Sequence, residues 1–382
     1  MSFFSVFTSE AKLIFSDIAI VLTIIGGVIL YSFLYPQPYA KESVSELAVS
    51  VVDLDKSDIS REIIYKLNAT PQIAVLRHDL SEKDAKEALV EGKVKGIVVI
   101  PSSFKRDLLL AKSPTVAVGA DSSYFLIYGA VLEATMKTVL TESASIKVAA
   151  LLRESLPLNA AKKEYGAFRL ETIHLFNKNN SYTEYVIPAV FIIILQQTLL
   201  IGLGILGGGI NERIQNGIYG HYVDAPLSWI IVSRFLIFGA IFFVHMLFYF
   251  GFSYETFHIT HIAEVGELLS FGVMFLLAVI AFGIFLGSLF TQREIATPVV
   301  LFSSLPLVFS AGFVWPLEAI PDSIEYLAYL SPSTPAIQGF LALNQMGASF
   351  SLVKESYLIL TLQTLLYTLL AYYNLKRVQK SF

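Results

Sequence analysis

The chain has 382 residues, of which 55% are hydrophobic and only 15% charged, and its net charge is −4. Soluble domains usually carry about 25% charged residues, so the deficit points to a membrane protein, and the small net charge offers nucleic acid nothing to bind. Cysteine is absent, which excludes disulfides, thiol nucleophiles and thiolate metal sites.

A bilayer core takes about 20 mostly apolar helical residues. Six stretches meet that requirement: Asp17–Tyr35, Tyr185–Ile210, Leu227–Phe250, Leu268–Phe290, Ile295–Trp315 and Tyr357–Tyr373. The first is longer than the ~7–15 residues of a signal-peptide core. It runs into Tyr35-Pro36-Gln37-Pro38 instead of a small-residue cleavage site, so it is read as a retained span.

Between the first two spans the composition becomes that of a soluble domain. "LAVSVVDLD" (Leu47–Asp55) reads as a buried strand, and "SDISREIIYKL" as a helix capped by Ser57 or Asp58. "QIAVLRH" is a second strand, and "SEKDAKEALVEGK" a second helix with Ser81 as N-cap and Asp84 at N3. "VKGIVVIP" and "TVAVGAD" are two further strands, and Ser123–Arg153 is a long helix. Strands alternating with helices predict an α/β domain with a largely parallel sheet.

Basic residues in the short loops set the orientation. With Lys12 in the cytoplasm, Arg213, Arg234, Arg293 and the Lys376-Arg377-Lys380 tail all fall on the cytoplasmic side, and Lys354 alone lies outside. The expected fold is an α-helical polytopic membrane protein with six transmembrane helices, one plus five, and an inserted periplasmic α/β domain. Residues 1–36 hold the cytoplasmic N-terminus and first span, 37–183 the periplasmic domain, and 184–382 the five-helix domain.

No phosphate-binding loop is present. The one Gly-Lys pair, Gly92-Lys93, is followed by Val94 and has Glu87 where the first glycine belongs. "ETFHITHIAE" spaces Glu255, His258, His261 and Glu264 for one helical face, open either to a metal or to water. Within the spans, Gln196, Gln197 and His245 either hydrogen-bond between helices or line a substrate path. Arg234, near a span end, reads as a side chain that snorkels to the headgroups. "GLGILGGGI" (Gly202–Ile210) and the Gly283/Gly287 pair permit close helix approach. The apolar segment 311–350 carries Pro316, Pro321, Pro332 and Pro335 and reads as a pair of short re-entrant helices, with Glu318, Asp322 and Glu325 at their wet edge. Trp315, Pro316 and Glu318 join the candidate substrate path.

"SAGFVWPLEAIP" and "LSPSTPAIQGFLALNQMGAS", read with the one-plus-five topology, resemble the permease subunits of ABC-2-type exporters. "VVDLDKSDISREII" and "EALVEGKVKGIVVIPSSFKRDL" narrow the resemblance to the branch with a large periplasmic domain after the first span. The polar segment 211–226 is similar to the family's coupling helix. Glu212 and Arg213 stand for its acid–base pair, Gly217 for its glycine, and Pro226 for the proline nine residues on, with Tyr219 between them. Ile218 and Gly220 depart from the family's threonine and second acid, and Ala342 from an arginine common before "LNQMG".

The resemblance implies a multi-pass protein of the bacterial inner membrane, embedded in lipid and paired with a second copy or a paralogue. It implies no enzymatic activity and no cofactor on this chain, since ATP and magnesium would sit on a separate ATPase that docks on Glu212–Asp224. It further implies a periplasmic adaptor and export of amphipathic or hydrophobic substrates. The alternative is a non-transporting receptor or adhesion protein that uses the outer domain. A membrane enzyme has no catalytic constellation to support it.

Overall fold

The structure, a computed structural model, describes all residues except 40–44, 111, 113, 122–124, 154–181, 223 and 380–382. The chain divides into two compact units, Lys41–Ile173 and Met1–Ala40 with His174–Phe382. The predicted end of the inserted domain at 183, the first residue of the predicted helix at 123, and Lys380 bear on residues outside or beside the described ones.

The larger unit begins with α1 (Phe3–Ser16), an amphipathic helix that the hydropathy of the spans did not announce. It meets α2 (Ile18–Leu34) at 78°. The corner is Asp17, whose extended backbone breaks the helix and whose carboxylate accepts the N–H groups of Ala19 and Ile20. A π-helical turn, Leu22–Gly27, interrupts α2.

The smaller unit follows. β1 (Leu47–Asp53) leads to α3 (Asp58–Asn68), β2 (Ile73–His78), α4 (Glu82–Val90), β3 (Gly96–Ile100), α5 (Phe104–Leu109), β4 (Ala117–Ala120) and α6 (Phe125–Arg153). The sheet order is β2-β1-β3-β4. The first three strands are parallel and β4 is antiparallel to β3, so the sheet is largely parallel as expected. Local chemistry explains the helix starts. Ser57 accepts the N–H of Ser60, and Ser81 that of Asp84. Asp53 organises the turn after β1, accepting the N–H groups of Asp55 and Lys56 and the Ser60 hydroxyl. The short helix α5 was not anticipated.

The chain then returns to the larger unit through α7 (Tyr182–Gln215), α8 (Leu227–Leu247), α9 (Val265–Leu289), α10 (Ala296–Ser310), α11 (Asp322–Ala328), α12 (Ser333–Phe340) and α13 (Lys354–Gln379). Among the described residues five helices are long and apolar enough to cross a membrane, or six when the bent pair α1–α2 counts as one. α7 runs five residues past its predicted end and α13 six past its own, whereas α10 stops five residues early at Ser310. Gly312, at φ 87°, turns the chain there and the Leu317 side chain packs against it.

α7 is the axis of this unit, with 94% of its most apolar stretch buried. Its glycines make that possible. A Cβ on Gly207 would lie 2.4 Å from the Gly287 carbonyl oxygen, and one on Gly287 would lie 2.5 Å from that of Leu203. The predicted small-residue packing is therefore a backbone-to-backbone contact of α7 with α9. Residues 311–350 hold the short helices α11 and α12 between helical turns. The second, α12, is almost wholly buried, with Gly339 set against the Phe271 ring.

Helix ends gather at two levels. At one end α1, the C-termini of α7, α9 and α13 and the N-termini of α8 and α10 meet. This basic end holds Lys12, Arg213, Arg234 and Arg293. At the other, Ile262 N–H donates to the Asn344 carbonyl at 2.9 Å and the Thr260 hydroxyl donates to Glu184 at 2.7 Å.

Candidate functional site at the basic end and in the bundle centre

The segment 211–226 is built differently from the expected helix. Glu212 and Arg213 belong to the last turn of α7, which ends in a glycine cap. Ile218 N–H reaches back to the Arg213 carbonyl at 2.8 Å and Gly217 N–H to that of Ile214 at 3.0 Å, the paired bonds of a Schellman motif. Gly217 sits at φ 78° and Gly220 at φ 58°, left-handed conformations that a continuous helix cannot hold. A single 3₁₀ turn, Gly220–Tyr222, follows, and Pro226 caps α8. The expected coupling helix is thus a capped turn whose tip presents Ile218 and Tyr219, 62% and 43% exposed.

Directly behind that tip lies a charged cluster that sequence reading missed. Glu10, on the inner face of α1, is fully buried. It accepts from Arg234 Nε at 2.8 Å, stands 2.8 Å from His221 Nε2, and accepts the Tyr222 hydroxyl. Arg234 Nη2 donates to the Tyr222 oxygen at 3.1 Å, and the guanidinium lies 5.8 Å from the Tyr222 ring centroid. Gln379 on α13 donates to the Tyr222 and Ala225 carbonyls. Arg234 is therefore an inward ion pair and does not snorkel: at 2% exposure it has no path to headgroups. Burial by itself would raise the Glu10 carboxyl. The Arg234 charge and the hydrogen bonds of His221, Arg234 and Tyr222 outweigh it and hold the group well below the ordinary carboxylate range. Burial, followed by the Glu10 charge, pushes the Tyr222 phenol well up. The only sequence signal was a lone acid at the centre of the apolar stripe Val6, Glu10, Ile14.

Two asparagines add to the joint. Asn211 on α7 donates to the Ser288 and Phe290 carbonyls, and Asn374 on α13 to the Ser288 carbonyl and hydroxyl, closing off the C-terminus of α9. Asp17 accepts from Arg293 at 2.9 Å. Between α1 and the capped turn runs an open groove of about 660 Å³ that holds Lys12, Arg213 and Arg293. A narrower lobe of about 240 Å³ reaches Glu212.

The substrate-path candidates separate into three places. Gln196, 2% exposed, donates to the Ser331 and Ser333 hydroxyls at 2.8 and 3.0 Å, tying α7 to the turn before α12. Gln363 on α13 donates to the Tyr329 carbonyl nearby at 2.7 Å. Gln197, one residue on, lines a separate cavity of about 480 Å³ between α2, α7 and α10, with Tyr31, Tyr35, Ser304 and Phe313. His245 is buried edge-on against Phe242, its Nδ1 unpartnered. Trp315, Pro316 and Glu318 are exposed beyond the end of α10 and join none of these groups, although Phe313 and Val314 reach the Gln197 cavity. The Glu255–Glu264 residues do not share a helical face either. The helix stops at Thr256 and His258 turns out at φ 53°. No metal-competent group of three acids or histidines occurs among the described residues.

A family model described as "ABC-2 family transporter protein" matches residues 18–373, nearly the whole chain. The chain belongs to that family. Among curated proteins nothing matches it. ABC-2 permeases are membrane transport subunits that carry no ATPase site and work with a separate ABC ATPase. In this ABC-2 permease the match begins at Ile18, so the Glu10 half of the buried cluster lies on a helix outside the matched residues, whereas Tyr222 and Arg234 lie within them.

Proposed function

We propose that the chain is the permease of an exporter that moves amphipathic or hydrophobic molecules outward across the inner membrane. ATP would be bound and hydrolysed on the partner chain. The observation that carries the reading is the exposed tip Ile218–Tyr219, set on a turn anchored by Glu10, His221, Tyr222 and Arg234. An exposed apolar pair on a rigid mount is what a docking ATPase needs, and the mount joins the tip to α1, α8 and α13. Movement of the tip would therefore shift several helices together.

The Gln197 cavity supplies the candidate substrate path. Its wall is largely apolar with Tyr31, Tyr35, Gln197 and Ser304 as the polar points, the composition suited to an amphipathic ligand. α10 and α2 beside it carry outward apolar side chains, including Ile29, Phe33, Phe302 and Leu305, which a second permease copy or a paralogue would cover. The basic end faces the cytoplasm in this reading, by the distribution of Arg213, Arg293 and Lys376-Arg377. The α/β unit then lies on the periplasmic side, available to an adaptor.

The test is co-purification and export. Ile218→Asp with Tyr219→Ala is expected to release the ATPase from the solubilised complex and abolish export while the permease stays folded. Gln197→Leu is expected to alter which substrates are exported and leave the ATPase bound. Wild-type permease that captures no ATPase, with export indifferent to the tip, would return the protein to the receptor alternative.

A further inference from the structure

The groove at the basic end has three properties that the docking tip does not use. Its wide lobe places Lys12, Arg213 and Arg293 around a single carboxylate, Asp17, which is already taken by Arg293. Lys12 and Arg213 have no carboxylate within ion-pair distance among the described residues, and the Ser9 and Ser16 hydroxyls border the same space. The groove is thus short of negative charge and supplied with donors.

Its depth is the second property. The lobe is lined by Ile18, the first residue of α2, and by Ile210, where the apolar run of α7 ends. Arg293 stands just before α10. All three mark the level where apolar helix gives way to polar chain, which is the headgroup level of a bilayer.

The third is what surrounds it. α1 lies across α2 at 78°, as an interfacial helix does, and carries Phe4 and Phe15 outward, 73% and 53% exposed. Ile18 and Leu22, 71% and 60% exposed, continue that apolar face down from the groove. A ligand with a phosphate in the groove therefore has hydrocarbon beside it on the membrane side.

We propose that this groove binds the phosphate headgroup of an anionic phospholipid from the same leaflet, with Lys12 and Arg213 as the paired cations and Ser16 as a hydroxyl donor; the Ser9 hydroxyl already donates to the Ser5 carbonyl. Free phosphate shares the headgroup's charge but gains nothing from Phe15, Ile18 and Leu22, which favours the lipid as the source. The narrow lobe is not part of the site, because Glu212 brings a second carboxylate there. The bound lipid would brace α1 against the turn that carries the tip. Occupancy is a property of this chain and does not depend on the ATPase.

The experiment uses the full-length permease, delipidated in a neutral detergent, with phosphatidylglycerol, phosphatidylcholine or inorganic phosphate added. Bound lipid is counted by native mass spectrometry and protection by the melting temperature. Phosphatidylglycerol is expected to bind in saturable fashion and raise the melting temperature, with at least tenfold weaker binding for Lys12→Gln/Arg213→Gln. Lys12→Arg should retain binding. Lys376→Gln, at the same end but outside the groove, should also retain it and controls for diffuse charge. Equal protection by phosphatidylcholine would overturn the proposal, as would unchanged binding in the double variant or equal loss in Lys376→Gln. Protection by inorganic phosphate alone would overturn the lipid as the source.

Discussion

Two buried polar clusters of the larger unit solve the same problem in opposite ways. At the basic end Glu10 and Arg234 are ionised groups, and both Glu10 oxygens are engaged. In the bundle centre Gln196, Ser331, Ser333 and Gln363 are neutral, and Gln196 Oε1, Gln363 Oε1 and the neighbouring Gln338 Nε2 have no partner. A buried charge tolerates only the geometry that pairs it, because every alternative leaves it unsolvated. A neutral hydrogen bond contributes only about 0.5–1.5 kcal/mol net, so the loss of one bond in the second cluster costs less than the loss of a charge partner in the first. The first ties its helices through paired charges, the second through neutral hydrogen bonds alone.

The largest test of that contrast is Arg234→Met. It removes the arginine charge from the buried Glu10, leaving only the His221 and Tyr222 contacts, and is expected to cost about 3 kcal/mol, read as a lowered melting temperature in detergent. Glu10→Leu/Arg234→Met should recover most of the loss. A single variant as stable as the wild type would break the comparison.

Acid should expose the same joint. The folded Glu10 titrates below the ordinary carboxylate value of about 4.3, so its contribution is complete above that pH and is lost as pH falls towards the folded value. Melting at pH 7 and pH 3 should show wild type losing more stability than Glu10→Gln, which has no carboxylate to protonate.

Between the two clusters runs the glycine contact of α7. Gly207→Val places side-chain atoms where the Gly287 carbonyl already stands, 2.4 Å from the Cβ position. Overpacking of this kind costs about 1–3 kcal/mol, again by melting. Gln196→Leu should cost least, about 0.6 kcal/mol. Ser331 and Ser333 keep their own 2.9 Å hydrogen bond, and the unpartnered Gln196 oxygen disappears. A loss there as large as that of Arg234→Met would erase the distinction between the charged and the neutral cluster.

The places where sequence reading failed have a common cause. The six apolar stretches, the α/β alternation and the Ser57 and Ser81 caps were legible because each depends on residues a few positions apart. Gly217 and Gly220 stand in the sequence as one match to and one departure from the family's coupling helix, but only their left-handed backbone turns the expected coupling helix into a capped turn. Arg234 was misread because a cation near a span end ordinarily reaches water. Its partner is 224 residues away on a helix that hydropathy alone does not reveal. Gln196 and Gln197 were left with two readings each. Their adjacent positions on α7 point one to the Ser331–Ser333 turn and the other into the Gln197 cavity.

The sequence by itself determined which stretches are apolar enough to cross a membrane, where the α/β unit interrupts them, and that no nucleotide loop is present. These follow from composition, period and short motifs, which are local. Tertiary structure alone decided that α7 is the axis and that Glu10, His221, Tyr222 and Arg234 form one joint. It alone set Lys12, Arg213 and Arg293 around one groove. Such groupings arise when helix ends distant in the chain converge on one level, and convergence leaves no periodic trace in the residues that make it.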